Sequence, residues 1–229
     1  ELGCNWSTFY SLDIDNPEVC DYLRRVFDRV FNEWGFDLVK LDFLYGAAPF
    51  GNERESRAAR MIRGMELIRE WCGDNLVLGC GVPLMPSFGL VDYCRIGCDV
   101  ALTWSGDWYL RHAHSERVST INSMDNSVYR RQLNGRAFGN DPDVFFLRED
   151  NIKMTRNQLK RLAQCNALLG NVLLTSDDPS SYTPESKAYF KKLVKLVAGK
   201  VNSVAPRGKG THEWVIDCTY DGTDHQVNI

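Results

Sequence analysis

The sequence is short of several things at once. No apolar run among its 229 residues approaches the roughly 18 that a membrane span needs, so no spanning helix is expected. Neither charge dominates. The 27 Lys and Arg stand against 30 Asp and Glu, a net charge of -3 with no basic stripe, which argues against a nucleic-acid partner. Only 4 histidines occur and none forms a His-Glu-x-x-His pair. The 8 cysteines include no Cys-x-x-Cys or Cys-x-x-His spacing, so no metal site is expected. None of the 18 glycines builds a dinucleotide or phosphate-loop fingerprint. The N-terminus shows no cationic stretch followed by an apolar one, so no signal peptide is read there. The chain begins at Glu rather than Met and is expected to be a piece of a longer protein. Several cysteines sit inside apolar, strand-like runs and are read as buried, reduced thiols. That points to a reducing compartment, hence a cytoplasmic location.

What is present is an ordinary globular balance, 44% apolar and 25% charged, which excludes disordered and collagen-like classes. Short apolar runs alternate with helix-period segments. Ser11-Leu12-Asp13-Ile14 reads as a strand ending. Asp15-Asn16-Pro17-Glu18 then starts a helix, with a capping residue and Pro at the first turn. An apolar stripe at Val19, Leu23, Val26, Phe27, Val30 and Phe31 carries that helix through residues 19–34 to Gly35. Residues 37–43, 75–80, 91–96, 144–147 and 171–175 read as strands. Residues 54–71, 112–133, 155–169 and 184–198 read as helices, with Thr155 and Gln158 as a capping pair. Such alternation indicates a parallel sheet with crossover helices. Strands ending near Asp13, Asp42, Cys80, Ile96, Leu147 and Thr175 fit an open doubly wound sheet, or a (β/α)8 barrel missing its first two units. After Gly199 the pattern becomes β-like, with Asp221-Gly222 as a hairpin signal, and reads as the start of a second, all-β domain.

Val39-Lys40-Leu41-Asp42-Phe43 is the sharpest chemical feature. Side chains alternate along a strand, so Lys40 and Asp42 share a face. Two charges on the inward face of an apolar strand are costly unless paired or used. They sit at the C-terminal strand end, where parallel-sheet enzymes keep their chemistry. Arg95-Ile96-Gly97-Cys98-Asp99-Val100 repeats the theme, with Gly97 expected to let the backbone bend so that the Asp99 carboxyl turns into the cleft. Two strand-end carboxylates are what glycoside hydrolysis requires. A packing ion pair at Lys40 and Asp42, and a simple turn cap at Asp99, are the alternatives. Asn140-Asp141-Pro142-Asp143 reads as turn chemistry holding a strand entry. Trp104, Trp108 and Tyr109 can stack on a sugar face or be partly buried. Gly79-Cys80-Gly81 would let a ligand approach the backbone. His112, His114, His212 and His225 are assigned surface or core roles.

Residues 33–45, Leu78-Gly79-Cys80-Gly81-Val82-Pro83-Leu84 and residues 91–100 together resemble the catalytic barrel of glycoside hydrolase family 36, the α-galactosidases or melibiases, related to family 27. The resemblance runs on through residues 140–144 and 173–178 and covers about residues 11–199. It implies an α/β (β/α)8 TIM barrel, incomplete and holding about strands 3–8, over residues 1–200, with residues 201–229 beginning a C-terminal β-sandwich domain. It implies a retaining glycosidase that releases terminal α-galactose from substrates of the melbiose or raffinose type. Asp42 looks like the nucleophile and Asp99 like the general acid/base. Lys40 and Arg95 look like ligands of substrate hydroxyls. Cys80 is similar in place to a small residue lining the sugar pocket, and Trp104 is added as an aromatic contact. No metal or organic cofactor is implied. The partner is a small carbohydrate, with neither nucleic acid nor membrane, and oligomerisation is expected only through parts of a full-length protein outside this chain.

The family's first-strand Asp-Asp-Gly-Trp type motif and its preceding β-sandwich are absent. A barrel short of two strands cannot close, so the piece alone is not expected to be an active enzyme. An α-N-acetylgalactosaminidase, a raffinose-synthase-type transferase and a non-catalytic galactoside-binding fragment are the nearby alternatives. An aldolase using Lys40 as a Schiff-base amine is a more distant one.

Overall fold

A computed structural model of the chain describes residues 2–3, 8–51, 54–106 and 118–229. Cys4, Trp108, Tyr109, His112, His114 and the start of the expected helix 112–133 lie outside the described residues. The chain divides into two compact units, Glu1–Arg95 and Ile96–Ile229.

The first unit opens with an antiparallel pair, β1 (Leu2–Gly3) and β2 (Thr8–Phe9). The strand ending expected at residues 11–14 is instead an irregular approach to a turn. The Asp13 carboxylate accepts the Asp15 N–H at 3.1 Å, and the Asp13 carbonyl accepts that of Asn16 at 3.1 Å. Short side chains that bond their own backbone compete with strand pairing. Arg60 holds Asp13 at 2.7 Å and also pairs with Asp15, as does Arg63. Helix α1 (Pro17–Asp28) then begins as its sequence dictates. The Asn16 side chain accepts the Glu18 N–H, and Pro17 takes the first turn, where a missing N–H costs nothing. It does not run unbroken to residue 34. A π-helical turn, Arg29–Glu33, follows, with the Trp34 N–H bonded five residues back to Arg29 at 2.9 Å. Gly35, at φ 71°, makes the exit.

Strand β3 (Leu38–Leu41), helix α2 (Arg57–Cys72), β4 (Leu76–Gly79) and β5 (Tyr93–Arg95) complete this unit. The three strands run parallel, β4 central, with Leu38 opposite Leu76, Leu41 opposite Gly79, and Gly79 opposite Cys94. Ser56 caps α2 by accepting the Ala59 N–H at 3.2 Å. Met65, Cys72 and Val77 are buried on the face where helix meets sheet. Arg69 ties the bottom of the unit together. Its guanidinium donates to the Leu90, Gly73 and Asn75 carbonyls and to Asp92 at 2.7 Å, while Asp92 also accepts the Val77 N–H at 2.8 Å.

The second unit holds α3 (Thr120–Arg130), β6 (Gly139–Asp141), β7 (Val144–Phe145), α4 (Arg156–Leu169), β8 (Leu174–Thr175) and α5 (Pro184–Val197). It ends in an antiparallel sheet of β9 (Lys200–Pro206), β10 (Trp214–Tyr220) and β11 (Thr223–Asn228), with β10 in the middle. Strands β7 and β8 are parallel, Val144 opposite Leu174 and Phe145 opposite Thr175. The β10–β11 turn is at Asp221-Gly222, both at positive φ (50° and 74°), as the sequence indicates. The antiparallel sheet shares one core with the helices: Trp214, Ile216 and Cys218 pack with Leu162, Leu193 and Leu196. Parallel strands joined through helices make the chain an α/β fold with an antiparallel three-stranded sheet at its end.

Strand β6 corrects the sequence analysis. Asn140 and Asp141, read there as turn residues, are fully buried in a strand. The Asn140 N–H donates to the Asn134 side chain at 2.9 Å, its amide nitrogen to the Arg130 carbonyl at 3.2 Å, and the Asp141 carboxylate accepts the Asp143 N–H at 2.8 Å. Such bonds offset much of the cost of burying polar groups, so polarity alone does not exclude a strand. The turn comes one residue later, at Pro142 and Asp143, where φ of Asp143 is 78°.

Candidate active site

In the first unit four of the expected residues come together at the C-terminal ends of parallel strands. Lys40 closes on the end of β3, Asp42 follows it, Cys80 follows β4 and Arg95 ends β5. The Asp42 carboxylate accepts a hydrogen bond from the Cys80 thiol, and Lys40 and Arg95 are near enough to act on that thiol electrostatically. Burial pushes the Cys80 thiol up to about 12. Its bond to Asp42 and the Asp42 charge push in the same direction, against Arg95 and Lys40. A thiol so raised stays protonated and donates to the carboxylate, so it is a hydrogen-bond partner and not a nucleophile. Cys80 and Arg95 are buried, whereas Lys40 and Asp42 are exposed. The expected inward, enclosed face of β3 is therefore open to solvent here. Strand β3 is an outer strand of its sheet, and its two charged side chains keep their hydration.

The backbone around Asp42 is held in an unusual shape. The carboxylate accepts the N–H of Phe43 at 2.7 Å, and Phe43 itself sits at φ 55°, left-handed for a bulky residue. A short 3-10 turn, Leu44–Ala47, follows, anchored by the Tyr45 N–H on the Gly81 carbonyl at 2.7 Å. Gly81 is at φ 59°. A Cβ there would stand 2.9 Å from the Phe43 nitrogen and 3.1 Å from a carboxylate oxygen of Asp42. The small residues of Gly79-Cys80-Gly81 thus make room for the protein's own backbone beside Asp42, a requirement the sequence analysis had attributed to a ligand.

Asp99 and Trp104 belong to the second unit. Asp99 is exposed on an irregular segment just beyond Cys98. The segment is stitched down residue by residue. The Val100 N–H donates to the Asp143 carboxylate at 2.7 Å, and the Thr120 hydroxyl donates to the carbonyls of Ala101 (3.0 Å) and Thr103 (2.8 Å). The Lys153 N–H donates to the Leu102 carbonyl at 2.8 Å. Gly97 is needed for a different reason from the bend expected of it. A Cβ there would lie 3.0 Å from Cβ of Asn126 on α3, so glycine admits the helix. Trp104 packs against the core of this unit, and the Arg161 guanidinium lies 4.9 Å from its ring centre. Among the described residues no cluster of His, Cys, Asp and Glu suits a metal ion.

No protein-family model matches the chain. Among solved structures, the α-galactosidase TtGalA from Thermus thermophilus, in complex with stachyose, is 30% identical with a TM-score of 0.73 over 84% of this chain. Its complex with p-nitrophenyl α-D-galactopyranoside matches 97% of the chain at 28% identity and a TM-score of 0.74. The chain's structural relatives are α-galactosidases. α-Galactosidase I from Mortierella vinacea, at 15% identity and a TM-score of 0.66 over 88% of the chain, shares the fold. The chain spans about two fifths of TtGalA, 41% and 43% of its length in the two comparisons. Asp143, read in the sequence only as part of a turn, is the main addition: its carboxylate accepts the Val100 N–H next to Asp99.

Proposed function

We propose that this chain carries the catalytic carboxylates of a retaining α-galactosidase that removes terminal α-linked galactose from oligosaccharides of the melibiose and raffinose type. The observation that carries this reading is the 30% identity to TtGalA over 84% of the chain. The grouping of Asp42, Cys80, Lys40 and Arg95 at adjacent strand ends supports it chemically. Asp42 is the nucleophile: its carboxylate oxygen attacks the anomeric carbon as Asp99 gives its proton to the departing glycosidic oxygen. Asp99 then takes a proton from the water that cleaves the galactosyl ester, and both carboxyl groups return to their starting states. Lys40 and Arg95 bind sugar hydroxyls. Cys80 lines the galactose pocket, and Trp104 is an aromatic contact for the sugar. Residues 1–200 are then part of a (β/α)8 barrel, about strands 3–8, and residues 201–229 the start of a C-terminal β domain.

The test is hydrolysis of p-nitrophenyl α-galactoside and of raffinose, by this chain and by the chain joined to whatever its gene encodes on either side. Asp42→Asn is expected to abolish turnover of both. Asp99→Asn is expected to spare kcat/KM for the nitrophenyl substrate, whose leaving group needs no proton, while lowering it for raffinose by about a hundredfold or more. Equal losses on the two substrates would remove Asp99 from the acid role.

A further inference from the structure

The Asn140-Asp141-Pro142-Asp143 stretch, left by the sequence analysis as a rigid loop, contains a residue aimed at the Asp99 segment. Asp143 is only 7% exposed, and its carboxylate accepts the N–H of Val100 at 2.7 Å across 43 positions of sequence. That N–H belongs to the peptide joining Asp99 to Val100. A peptide is planar, so holding its nitrogen restrains the orientation of the whole Asp99–Val100 peptide, from which the Asp99 side chain projects.

The gripping residue is itself immobilised from three sides. The Asp143 N–H donates to the Asp141 carboxylate at 2.8 Å, and the Asp143 carbonyl accepts the Asn166 amide at 2.9 Å from α4. The neighbouring Pro142 carbonyl accepts the Ser123 hydroxyl at 3.1 Å from α3. Asn166 and Ser123 are both buried. These bonds hold Asp143 at φ 78°, a conformation unfavourable for any residue with a Cβ and maintained only where surroundings insist on it.

We infer that Asp143 is the positioning residue for Asp99, acting through the Val100 peptide; the inference rests on the acid/base role proposed above for Asp99. Two substitutions separate the carboxylate's grip from its bulk. Asp143→Asn keeps an acceptor oxygen in place, whereas Asp143→Ala removes it. Two measurements are made on both. The first is kcat/KM for raffinose against p-nitrophenyl α-galactoside, in the protein at its natural length. The second is hydrogen exchange of the Val100 amide. Asp143→Ala is expected to lose amide protection and to lower kcat/KM for raffinose at least about tenfold more than for the nitrophenyl substrate, with Asp143→Asn restoring both. A general loss of folding would lower both substrates alike and expose amides throughout, and that outcome overturns the inference. So does an unchanged Val100 exchange rate in Asp143→Ala. A wild-type protein that cleaves neither substrate would refute the proposed function instead. In that event the Val100 exchange rate alone decides whether Asp143 grips the segment.

Discussion

Gly81 shows how much one hydrogen atom in place of a methyl group can matter. It stands at φ 59° with the Phe43 backbone and the Asp42 carboxylate closing over the space a Cβ would fill. Gly81→Ala therefore meets two penalties together: left-handed backbone strain, about 1–2 kcal/mol, and a clash with main-chain atoms that have no side-chain freedom to yield. The expected result is a lower melting temperature. On the proposed function there is also a loss of turnover greater than the stability change explains, because the nearest side-chain atom is the nucleophile's oxygen. A Gly81→Ala protein with wild-type kcat and melting temperature would show that the 42–45 turn relaxes freely. Cys80, next to it, illustrates a different kind of constraint. Its thiol is pushed to about 12, largely by burial, so it stays a neutral donor beside Asp42.

At the scale of elements, local signals were strongest where a helix begins. The box at the start of α4 is complete. The Gln158 N–H donates to the Thr155 hydroxyl at 3.3 Å, and the Thr155 N–H donates to the Gln158 side chain at 2.8 Å. Thr155→Ala is expected to cost about 1 kcal/mol, read as a lowered denaturant midpoint with an unchanged slope. An unchanged midpoint would mean that packing of Leu159 and Leu162 in the core fixes the helix end without help. Asn16 with Pro17, Thr155 with Gln158, and Asp221 with Gly222 were all legible because each acts over three or four residues of chain. Lys40 with Asp42 was legible as a pair for the same reason, since a period of two is a local property. What escaped was set by partners distant in sequence. Arg60 and Arg63 lie more than 40 positions from Asp13 and Asp15, which they pair with beside the irregular turn at residues 11–14. Asn140 and Asp141 form a strand because α3 and the 131–134 turn supply bonds to it. A recurring device was equally hidden: a buried carboxylate on one segment accepts backbone N–H groups of another, distant in sequence. Asp143 does this for Val100, and Asp177 does it for Leu147 (2.5 Å) and Arg148 (3.2 Å), with the Tyr182 hydroxyl donating to it as well. Loops at the C-terminal edge of a parallel sheet carry function only if something rigid aims them, and these buried carboxylates are that support.

Across the whole molecule, each unit has surface carboxylates whose charge the fold favours. In the first, the hydrogen bond from Arg63, together with that from Arg60 and the charges of both, holds Asp15 below its ordinary 3.8 against an opposing effect of burial. In the second, Ser203 and then Gln226 lower Asp217, at the junction of all three antiparallel strands, and Ser180 lowers Asp178 before α5. A carboxyl with a depressed pKa in the folded state binds its proton more readily when unfolded. Its contribution to stability is therefore complete above about pH 4, and is lost as pH falls through the folded value. All three are at the surface, so each effect is small and screened by salt. The difference between variants isolates it from the general acid response of the chain. The melting temperature of Asp15→Asn is expected to lie below wild type at pH 7 and to converge on it as pH approaches 2. The gap at pH 7 should narrow in 1 M salt. Asp217→Asn should behave in the same way, through a separate unit of the chain. A gap that persists undiminished at pH 2 would show that Asp15 supports the 11–16 segment through its turn geometry, which asparagine alters at any pH, and not through its charge on Arg60 and Arg63.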